Sequence, residues 1–361
     1  MSEYTRREFA RSMAAVAAAG GLRVEASQGR GTTAGSLADV PGVTVGHYTD
    51  PRRPTGCTAI LFNPAAAAGV DFDGSAPGES MAVLLQPPSP VERIHGLFLT
   101  GGGVLALPAA GGVIRFCEEH RIGFDWGTPD LRIPIIVSAV IDDLAVGDPR
   151  IRPDADAAYK ACVAASTNAT AEGNVGVGAG ATVGKMHRGR GLSGMKGGVG
   201  TASATFGNVI SGALAVVNAA GDGRDWRTGQ SVAGARRADG TFADSGDVMR
   251  TIATASAGGR LEDPALRSTT LAIVATNVEL TKTALTKVAM MANCGASRAI
   301  RPYHTTGDGD QLFAVSTGRL QRPDLPLTAV GSLAADLVAD AIVRGVRAAS
   351  SVPDWPAVRD L

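Results

Sequence analysis

Two short polar motifs in this chain together have the groups needed to cleave an amide bond. Ser268, Thr269 and Thr270 open an apolar, β-branched run at residues 269–275, which predicts a buried strand with hydroxyl groups at its mouth. If the chain is cut between Ser268 and Thr269, Thr269 carries both a hydroxyl and a free α-amine. The reference pKa of an α-amine is about 7.7–8.0, so this amine can take up the hydroxyl proton near neutrality. Thr269 would then be nucleophile and base in one residue.

The second motif is Asp308-Gly309-Asp310, which stands before another strand-like run about forty positions later. Side chains at positions i and i+2 of an extended segment point to the same side. We therefore expect Asp308 to hydrogen-bond the hydroxyl or amine of Thr269, and Asp310 to orient Asp308. The alternatives are a solvated Asp-Gly turn or a calcium loop, although a calcium loop needs more regularly spaced oxygen ligands.

Two further polar residues are candidates for stabilising charge at the site. Asn218 ends the apolar run 213–217, and an amide N–H at that place is a candidate oxyanion donor, worth about 2.7–4 kcal/mol in the transition state. Lys196 lies in a glycine-rich loop, where its charge would hold the nucleophile deprotonated or stabilise an oxyanion. The alternatives are a turn asparagine and a surface lysine.

The order of these motifs resembles the P1 family of self-processing aminopeptidases. That family includes the L-aminopeptidase/D-amidase/esterases, the β-peptidyl aminopeptidases and the nylon-oligomer endohydrolases. The likeness covers most of the chain, with matching segments at residues 38–47, 99–103, 176–180, 195–203, 215–219 and 315–318. The glycine-rich segments are unspecific singly, but their order together with Ser-Thr-Thr and Asp-Gly-Asp is specific.

The resemblance implies self-cleavage between Ser268 and Thr269, with Thr269 as the nucleophile and Asn218 and Lys196 at its site. Asp308 and Asp310 match the Asp-x-Asp pair of the nylon-oligomer branch. Ser268 stands where the family often has asparagine or glycine, so we expect an altered cleavage rate. Residues 103–107 also depart from the family on its substrate side, which implies a different pocket.

The family's fold is a four-layer αββα sandwich, similar to that of N-terminal nucleophile hydrolases but differently connected. The resemblance further implies a small peptide or amide-oligomer substrate, no cofactor or metal, and a homo-oligomer of processed units.

The first residues resemble an export signal. Arg6 and Arg7, followed by Phe9 and an alanine-rich run, resemble a twin-arginine signal over residues 1–26. This run is too short and too weakly apolar to be a membrane anchor. The alternative is an amphipathic helix or a tail. We expect a periplasmic or secreted protein, or a cytoplasmic one if the signal does not function. Residues 27–361 are expected to form one catalytic domain, cleaved into 27–268 and 269–361.

Composition excludes several other classes of protein. Lys+Arg 34 and Asp+Glu 34 give a net charge of +0, so no electrostatic argument favours nucleic acid or an anionic membrane. The glycine-rich stretches lack the context of a nucleotide-binding loop. The four cysteines are scattered without a CxxC pair, which argues against a zinc site or a disulfide framework. His304, close to the Asp pair, is expected to have a structural role.

Hydrophobic periodicity predicts helices at residues 104–119, 154–165, 280–299 and around 330–342. It predicts strands at residues 56–62, 97–100, 133–139, 213–218 and 269–275. Interleaved helices and strands favour a layered α/β fold.

The function favoured by these motifs is a self-processing N-terminal-threonine amidohydrolase acting on peptides or peptide-like oligomers, possible substrates including 6-aminohexanoate (nylon) oligomers. A transacylase of the ornithine acetyltransferase type and an inert binding protein are the alternatives. The sequence does not select among α-peptides, β-peptides, D-amides and nylon oligomers.

Overall fold

The computed structural model describes residues 35–188, 190–254 and 268–361, all within one compact unit. Its strands are β1 Val43–Thr49, β2 Gly56–Asp71, β3 Glu79–Ser80, β4 Arg93–Thr100, β5 Phe124–Asp125, β6 Arg132–Ile133, β7 Ile136–Val140, β8 Thr182–Val183, β9 Met195–Lys196, β10 Val199–Phe206, β11 Val209–Asn218, β12 Asp222–Arg224, β13 Ser231–Ala233, β14 Thr269–Val278, β15 Ile300–Arg301 and β16 Gln311–Leu320. Its α-helices are α1 Ala110–Glu119, α2 Ala155–Val163, α3 Ser245–Thr254, α4 Lys282–Ala299 and α5 Leu327–Ala348.

The principal sheet is mixed and has the order β10-β11-β14-β16-β2-β4-β7-β3, with β1 paired to the first half of β2. The long strand β2 pairs with β4 through its first half and with β16 through its second half. Its pairing with β4 shifts register between Leu61 and Ala66. Strand β2 therefore runs through both halves of this sheet. Its first half lies beside β1, β4 and β7, and its second half lies beside β16, β14 and β11.

Three hydrophobic clusters show how these halves are layered. Ile60, Phe62 and Val70, on one side of β2, belong to the central cluster, together with residues of β4, β7, β11 and β14. On the other side of β2, Ala59 packs with α1 and α2, whereas Ala67 packs with α4 and α5. The sheet halves therefore pack face to face, and each is covered by a helix pair. This is the four-layer αββα order that the family resemblance implies.

Helix ends agree with local capping chemistry. The side chain of Asp154 accepts a hydrogen bond from Ala157 N (2.8 Å) at the start of α2, and Thr281 accepts one from Ala284 N (3.3 Å) at the start of α4. The predicted helices at 154–165, 280–299 and 330–342 correspond to α2, α4 and part of α5.

Two predicted boundaries were wrong. The segment 104–119 is not one helix, because Gly103–Ala109 form a 3-10 helix containing Pro108 before α1 begins. Proline lacks the N–H that a continuous α-helix requires. The predicted strand 133–139 is divided between β6 and β7.

The predicted export signal, residues 1–26, lies outside the described residues. Among the residues that are described, no helix has both the length and the apolar character needed to cross a membrane.

Candidate active site

The sheet topology brings the ends of three strands together. Strand β14 runs antiparallel to β11, so that Thr269, its first residue, is the register partner of Asn218, the last residue of β11. Strand β14 runs parallel to β16, and a parallel bridge pairs Ser268 with Asp308 just before both strands begin. The backbones that carry Thr269, Asn218 and the Asp pair therefore meet at one edge of the sheet.

Thr269 lies against the peptide bond that precedes it. Its Oγ1 donates a hydrogen bond to the carbonyl oxygen of Ser268 at 2.7 Å, and Gly309 N donates to the same oxygen at 2.8 Å. Thr269 is only 7% exposed. The hydroxyl is thus close to the carbonyl it would attack, in a place with little water.

One carboxylate oxygen of Asp308 has no partner in the part of the chain that the structure describes. Its Oδ2 accepts hydrogen bonds from Thr305 N (2.8 Å) and Thr305 Oγ1 (2.6 Å). Its Oδ1 is buried and has no hydrogen-bond partner among the described residues. Burial, followed by the charge of Asp310, raises the pKa of Asp308 to about 6. A buried acceptor without a donor is costly, so Oδ1 is ready to receive a new donor.

Asp310 fixes the backbone next to the candidate nucleophile and that of the loop before the Asp pair. Its Oδ1 accepts from Thr270 N at 2.5 Å, and its Oδ2 accepts from His304 N at 3.2 Å and also lies 3.2 Å from His304 Nδ1. The His304 ring lies on that of Tyr303, with the ring centroids 3.9 Å apart. Asp310 therefore acts on Asp308 through its charge and through the loop, while His304 supports Asp310.

Asn218 is held by a lysine that sequence reasoning had not selected. Asn218 Oδ1 accepts from Lys185 Nζ at 2.6 Å and from Thr182 N at 3.1 Å, and Asn218 Nδ2 donates to the carbonyl of Asp142 at 3.2 Å. This leaves the second N–H of the amide as a candidate donor to substrate. Burial lowers the pKa of Lys185 to about 7, although the charges of Asp142 and Asp308 oppose this shift.

Lys196 is fully buried on β9. Its ammonium donates to the carbonyl oxygens of Gly178 (3.0 Å), Ala181 (2.8 Å) and Gly197 (2.8 Å). These bonds use its three N–H donors and join the glycine-rich segment to the strand pair β8–β9. No hydrogen bond among the described residues joins Lys196 to Thr269, Asn218 or the Asp pair, so a direct role at the reacting centre stays a prediction.

The two lysines offer a matched pair of substitutions. Lys185→Met removes a donor to Asn218, so we expect a large loss of activity with a small change in melting temperature. Lys196→Met removes a charged donor from three buried carbonyls, of which those of Gly178 and Ala181 keep the N–H groups of Ala181 and Gly197. A lost hydrogen bond to a buried group costs about 1–3 kcal/mol, so we expect a fall in melting temperature. Thermal unfolding and turnover of the same preparations test both. Equal melting temperatures for the two variants would contradict the structural role of Lys196.

The sequence analysis did not select three residues that contact the candidate site: Lys185, Thr305 and Gly309. They contribute a second contact to a residue already selected, and hydrophobic patterns do not show such contacts. Lys185 and Gly309 contact Asn218 and Ser268 across distant segments, whereas Thr305 contacts Asp308 within a local turn. Lys185 stands in a charged run with His187 and Arg188, which is typical of a surface. One available signal was the run of small residues at 176–184, which Lys185 ends. Among the described residues, no three His, Cys, Asp or Glu side chains are grouped as metal ligands.

Comparison with known proteins identifies the family of the chain. The model of peptidase family S58 matches residues 35–356. A Mycobacterium tuberculosis protein named an uncharacterized aminopeptidase is 39% identical over 355 residues, covering 90% of this chain and 97% of that protein. A 6-aminohexanoate-oligomer endohydrolase of Paenarthrobacter ureafaciens is 29% identical over 324 residues, covering 84% of each chain.

Solved structures support the fold. The L-aminopeptidase D-Ala-esterase/amidase of Ochrobactrum anthropi, described as a variant of the Ntn hydrolase fold, superposes with a TM-score of 0.61 at 22% identity, covering 87% of this chain and 86% of that one. A Burkholderia sp. beta-aminopeptidase superposes with a TM-score of 0.62 at 21% identity, covering 90% and 89%. Because the family model spans nearly all described residues, the chain belongs to peptidase family S58.

Proposed function

We propose that this hydrolase cuts its own chain between Ser268 and Thr269 and then uses Thr269 to cleave amide bonds of peptides or peptide-like oligomers. The observation that carries the proposal is the contact of Thr269 Oγ1 with the Ser268 carbonyl oxygen, 2.7 Å away in a buried strand end. A cut at this bond frees the amine of the residue that holds the hydroxyl. Nucleophile and base then arise in a single step.

In the processed enzyme, each group has a distinct task. The neutral amine of Thr269 takes the proton of the hydroxyl as Oγ1 attacks the substrate carbonyl. The free N–H of the Asn218 amide stabilises the oxyanion, and Lys185 holds that amide in place through Oδ1. The amine returns the proton to the leaving nitrogen, and water then hydrolyses the ester on Thr269.

Asp308 keeps the amine in position. The new amine forms where the peptide nitrogen of Thr269 had been, beside the bridge between Ser268 and Asp308. Asp308 Oδ1, which has no partner among the described residues, is available to accept its hydrogen bond. Asp310 holds the adjacent N–H of Thr270 and so fixes the strand from which Thr269 reacts.

The substrate class rests on the relatives and on the rim of the site. The relatives are named as an aminopeptidase and as an endohydrolase of 6-aminohexanoate oligomers. Val104 and Leu105 are 62% and 61% exposed, and a Cβ on Gly78 would lie 3.5 Å from Val104 Cγ1. Gly78 follows the loop that covers the Asp pair, and the family resemblance puts residues 103–107 on the substrate side. We therefore propose that this part of the rim is apolar. Such a rim favours substrates with aliphatic segments beside the scissile amide.

Hydrolysis by the purified protein tests this function. Short α-peptides, β-peptides and 6-aminohexanoate oligomers are incubated with it, and free amines are measured with and without a second amine as acceptor. We expect release of free acid and amine irrespective of the acceptor. Product formed only in the presence of the acceptor would support the transacylase, and no product from any substrate would support the inert binding protein.

Activity of the processed enzyme is expected to rise with pH. Only the neutral amine of Thr269 accepts the hydroxyl proton, and its pKa starts from about 7.7–8.0. Burial lowers that pKa, and so does Lys185 while it is charged, below its own pKa of about 7. Asp308 raises the pKa of the amine, and we expect the lowering effects to dominate. Asp308, with its pKa raised to about 6, must also be ionised. The pH profile of kcat/KM should therefore rise between about pH 6 and 8. A flat profile there would exclude the amine as base.

Export and assembly belong to the same proposal. The twin-arginine-like residues 1–26 support transport of the folded protein to the periplasm or outside the cell. We also propose that processed units form a homo-oligomer. Fractionation of expressing cells and sedimentation of the purified protein test the two statements.

A further inference from the structure

We propose that the backbone N–H of Gly309 is the oxyanion donor for self-cleavage, and that Asn218 serves this role only for external substrates. This inference rests on the proposed self-processing and assigns separate donors to its two reactions. The carbonyl oxygen of Ser268 belongs to the peptide bond that would be cut, and Gly309 N already donates to it at 2.8 Å. A donor in place before the reaction stabilises developing negative charge without reorganisation.

The direction of the Gly309 N–H is fixed by the loop on its other side. Ala76 N donates to the carbonyl of Asp308 at 2.9 Å, and Gly74 N donates to the carbonyl of Asp310 at 3.2 Å. The peptide group that carries the Gly309 N–H is therefore held through the Asp308 carbonyl, and the strand is held again at the Asp310 carbonyl. A Cβ at position 309 would collide with the carbonyl oxygen of Ala76 and lie 2.8 Å from Thr269 Oγ1. Glycine is thus needed for the strand to approach the candidate nucleophile so closely.

Asn218 contacts other groups in the uncut chain. Although Asn218 is the register partner of Thr269, its Nδ2 donates to the carbonyl of Asp142 and its Oδ1 accepts from Lys185 and Thr182. The Ser268 carbonyl instead receives the N–H of Gly309 and the hydroxyl of Thr269. After cleavage Ser268 becomes a chain end, and a substrate carbonyl can then approach Thr269 beside Asn218.

The self-cleavage step is balanced with water as the co-reactant. Thr269 Oγ1 forms a bond to the carbonyl carbon of Ser268, and the hydroxyl proton passes to the carboxylate of Asp308. The Gly309 N–H stabilises the resulting oxyanion. The bond from this carbon to Thr269 N breaks, and Asp308 returns the proton to that nitrogen. Water hydrolyses the remaining ester, which leaves a carboxylate on Ser268 and the free hydroxyl and amine on Thr269.

An amide-to-ester replacement tests the donor without adding a side chain. Glycolic acid is incorporated in place of Gly309 in the full chain by cell-free translation, which replaces the N–H with an oxygen. The matched control carries glycolic acid in place of Gly74. This replacement removes the N–H that donates to the Asp310 carbonyl, in the same contact between loop and strand. We expect the Gly309 ester to slow cleavage by about 10²–10³-fold, and the Gly74 ester to cleave near the wild-type rate.

The outcomes separate this inference from the proposed function. If the wild-type chain and the Gly74 ester stay uncut, self-processing itself is wrong. If both are cut and the Gly309 ester is cut equally fast, only the Gly309 assignment is wrong. The fraction of Gly309 ester that is eventually cut should hydrolyse substrate at the wild-type rate per cleaved chain. An equal loss in that reaction would show that one donor serves both reactions.

Amide hydrogen exchange provides a measurement that does not require the ester to fold. The Gly309 amide should be protected in uncut Thr269→Ala protein, where the Ser268 carbonyl still accepts from it. It should exchange faster in cleaved wild-type protein. Fast exchange of the Gly309 amide in the uncut chain would show that the hydrogen bond is absent and would overturn the proposal.

Discussion

Thr269→Ala is expected to remain a single uncut chain and to have no measurable hydrolysis. Self-cleavage and substrate hydrolysis both require Oγ1, and without cleavage no α-amine is formed to act as base. The substitution removes one hydrogen bond, from Oγ1 to the Ser268 carbonyl oxygen, and leaves strand β14 in place. Intact mass and turnover are measured on the same preparation, with the melting temperature as the check on folding.

Thr269→Ser is the matched control for this variant. Serine keeps the hydroxyl and loses only the methyl group, so we expect cleavage between residues 268 and 269 and partial activity. A folded Thr269→Ala protein that is cut at this bond, or that hydrolyses substrate at the wild-type rate, would exclude Thr269 as the nucleophile.

Asp308→Asn and Asp310→Asn are each expected to lower turnover by about 10²–10⁴-fold, the usual loss when a positioned acid–base partner is removed. Asparagine at 308 can still accept from Thr305, but it cannot hold a proton or an ammonium group. At 310, the amide nitrogen of asparagine would face the N–H of His304 in place of an acceptor. Asp73→Asn, which removes an exposed charge nearby, is the control and should turn over normally. Wild-type turnover in both site variants would show that Asp308 and Asp310 only form a turn and have no role in the reaction.

The melting temperature of Asp308→Asn distinguishes a lost charge from a damaged fold. The pKa of Asp308 is raised from 3.8 to about 6 in the folded protein, so the carboxyl lowers stability as the pH rises from about 4 to about 6, and the loss is complete above that range. Asparagine avoids this cost. The variant should melt above wild type near pH 7–8, and the difference should narrow as the pH falls from about 6 to below about 4, where the carboxyl becomes neutral in both the folded and the unfolded protein.

The residues of the site could largely be selected from the sequence because they stand at strand ends. Thr269 and Asn218 each border an apolar run, and Asp308 and Asp310 precede another, so local pattern marks all four. Whether these ends meet depends on strand order, which periodicity does not give. The family resemblance supplied the layers, but nothing local shows that β2 continues to Asp71 and joins both sheet halves.

The contacts around the site could not be predicted, because they join segments far apart in the chain. Lys185 meets Asn218 across 33 positions, and Gly74 meets Asp310 across more than two hundred. For Lys196, the role inferred from the sequence differs from the contacts that the structure shows. A lysine in a glycine-rich segment is by itself more often a surface residue, and the family resemblance favoured a role at the site. The structure instead buries it, bonded to three carbonyl groups.

Intact mass spectrometry of the purified wild-type protein, with N-terminal sequencing of the smaller chain, tests the central claim most directly. The account predicts two chains, the smaller beginning at Thr269 and ending at Leu361. An active preparation that contains only a single uncut chain would contradict it.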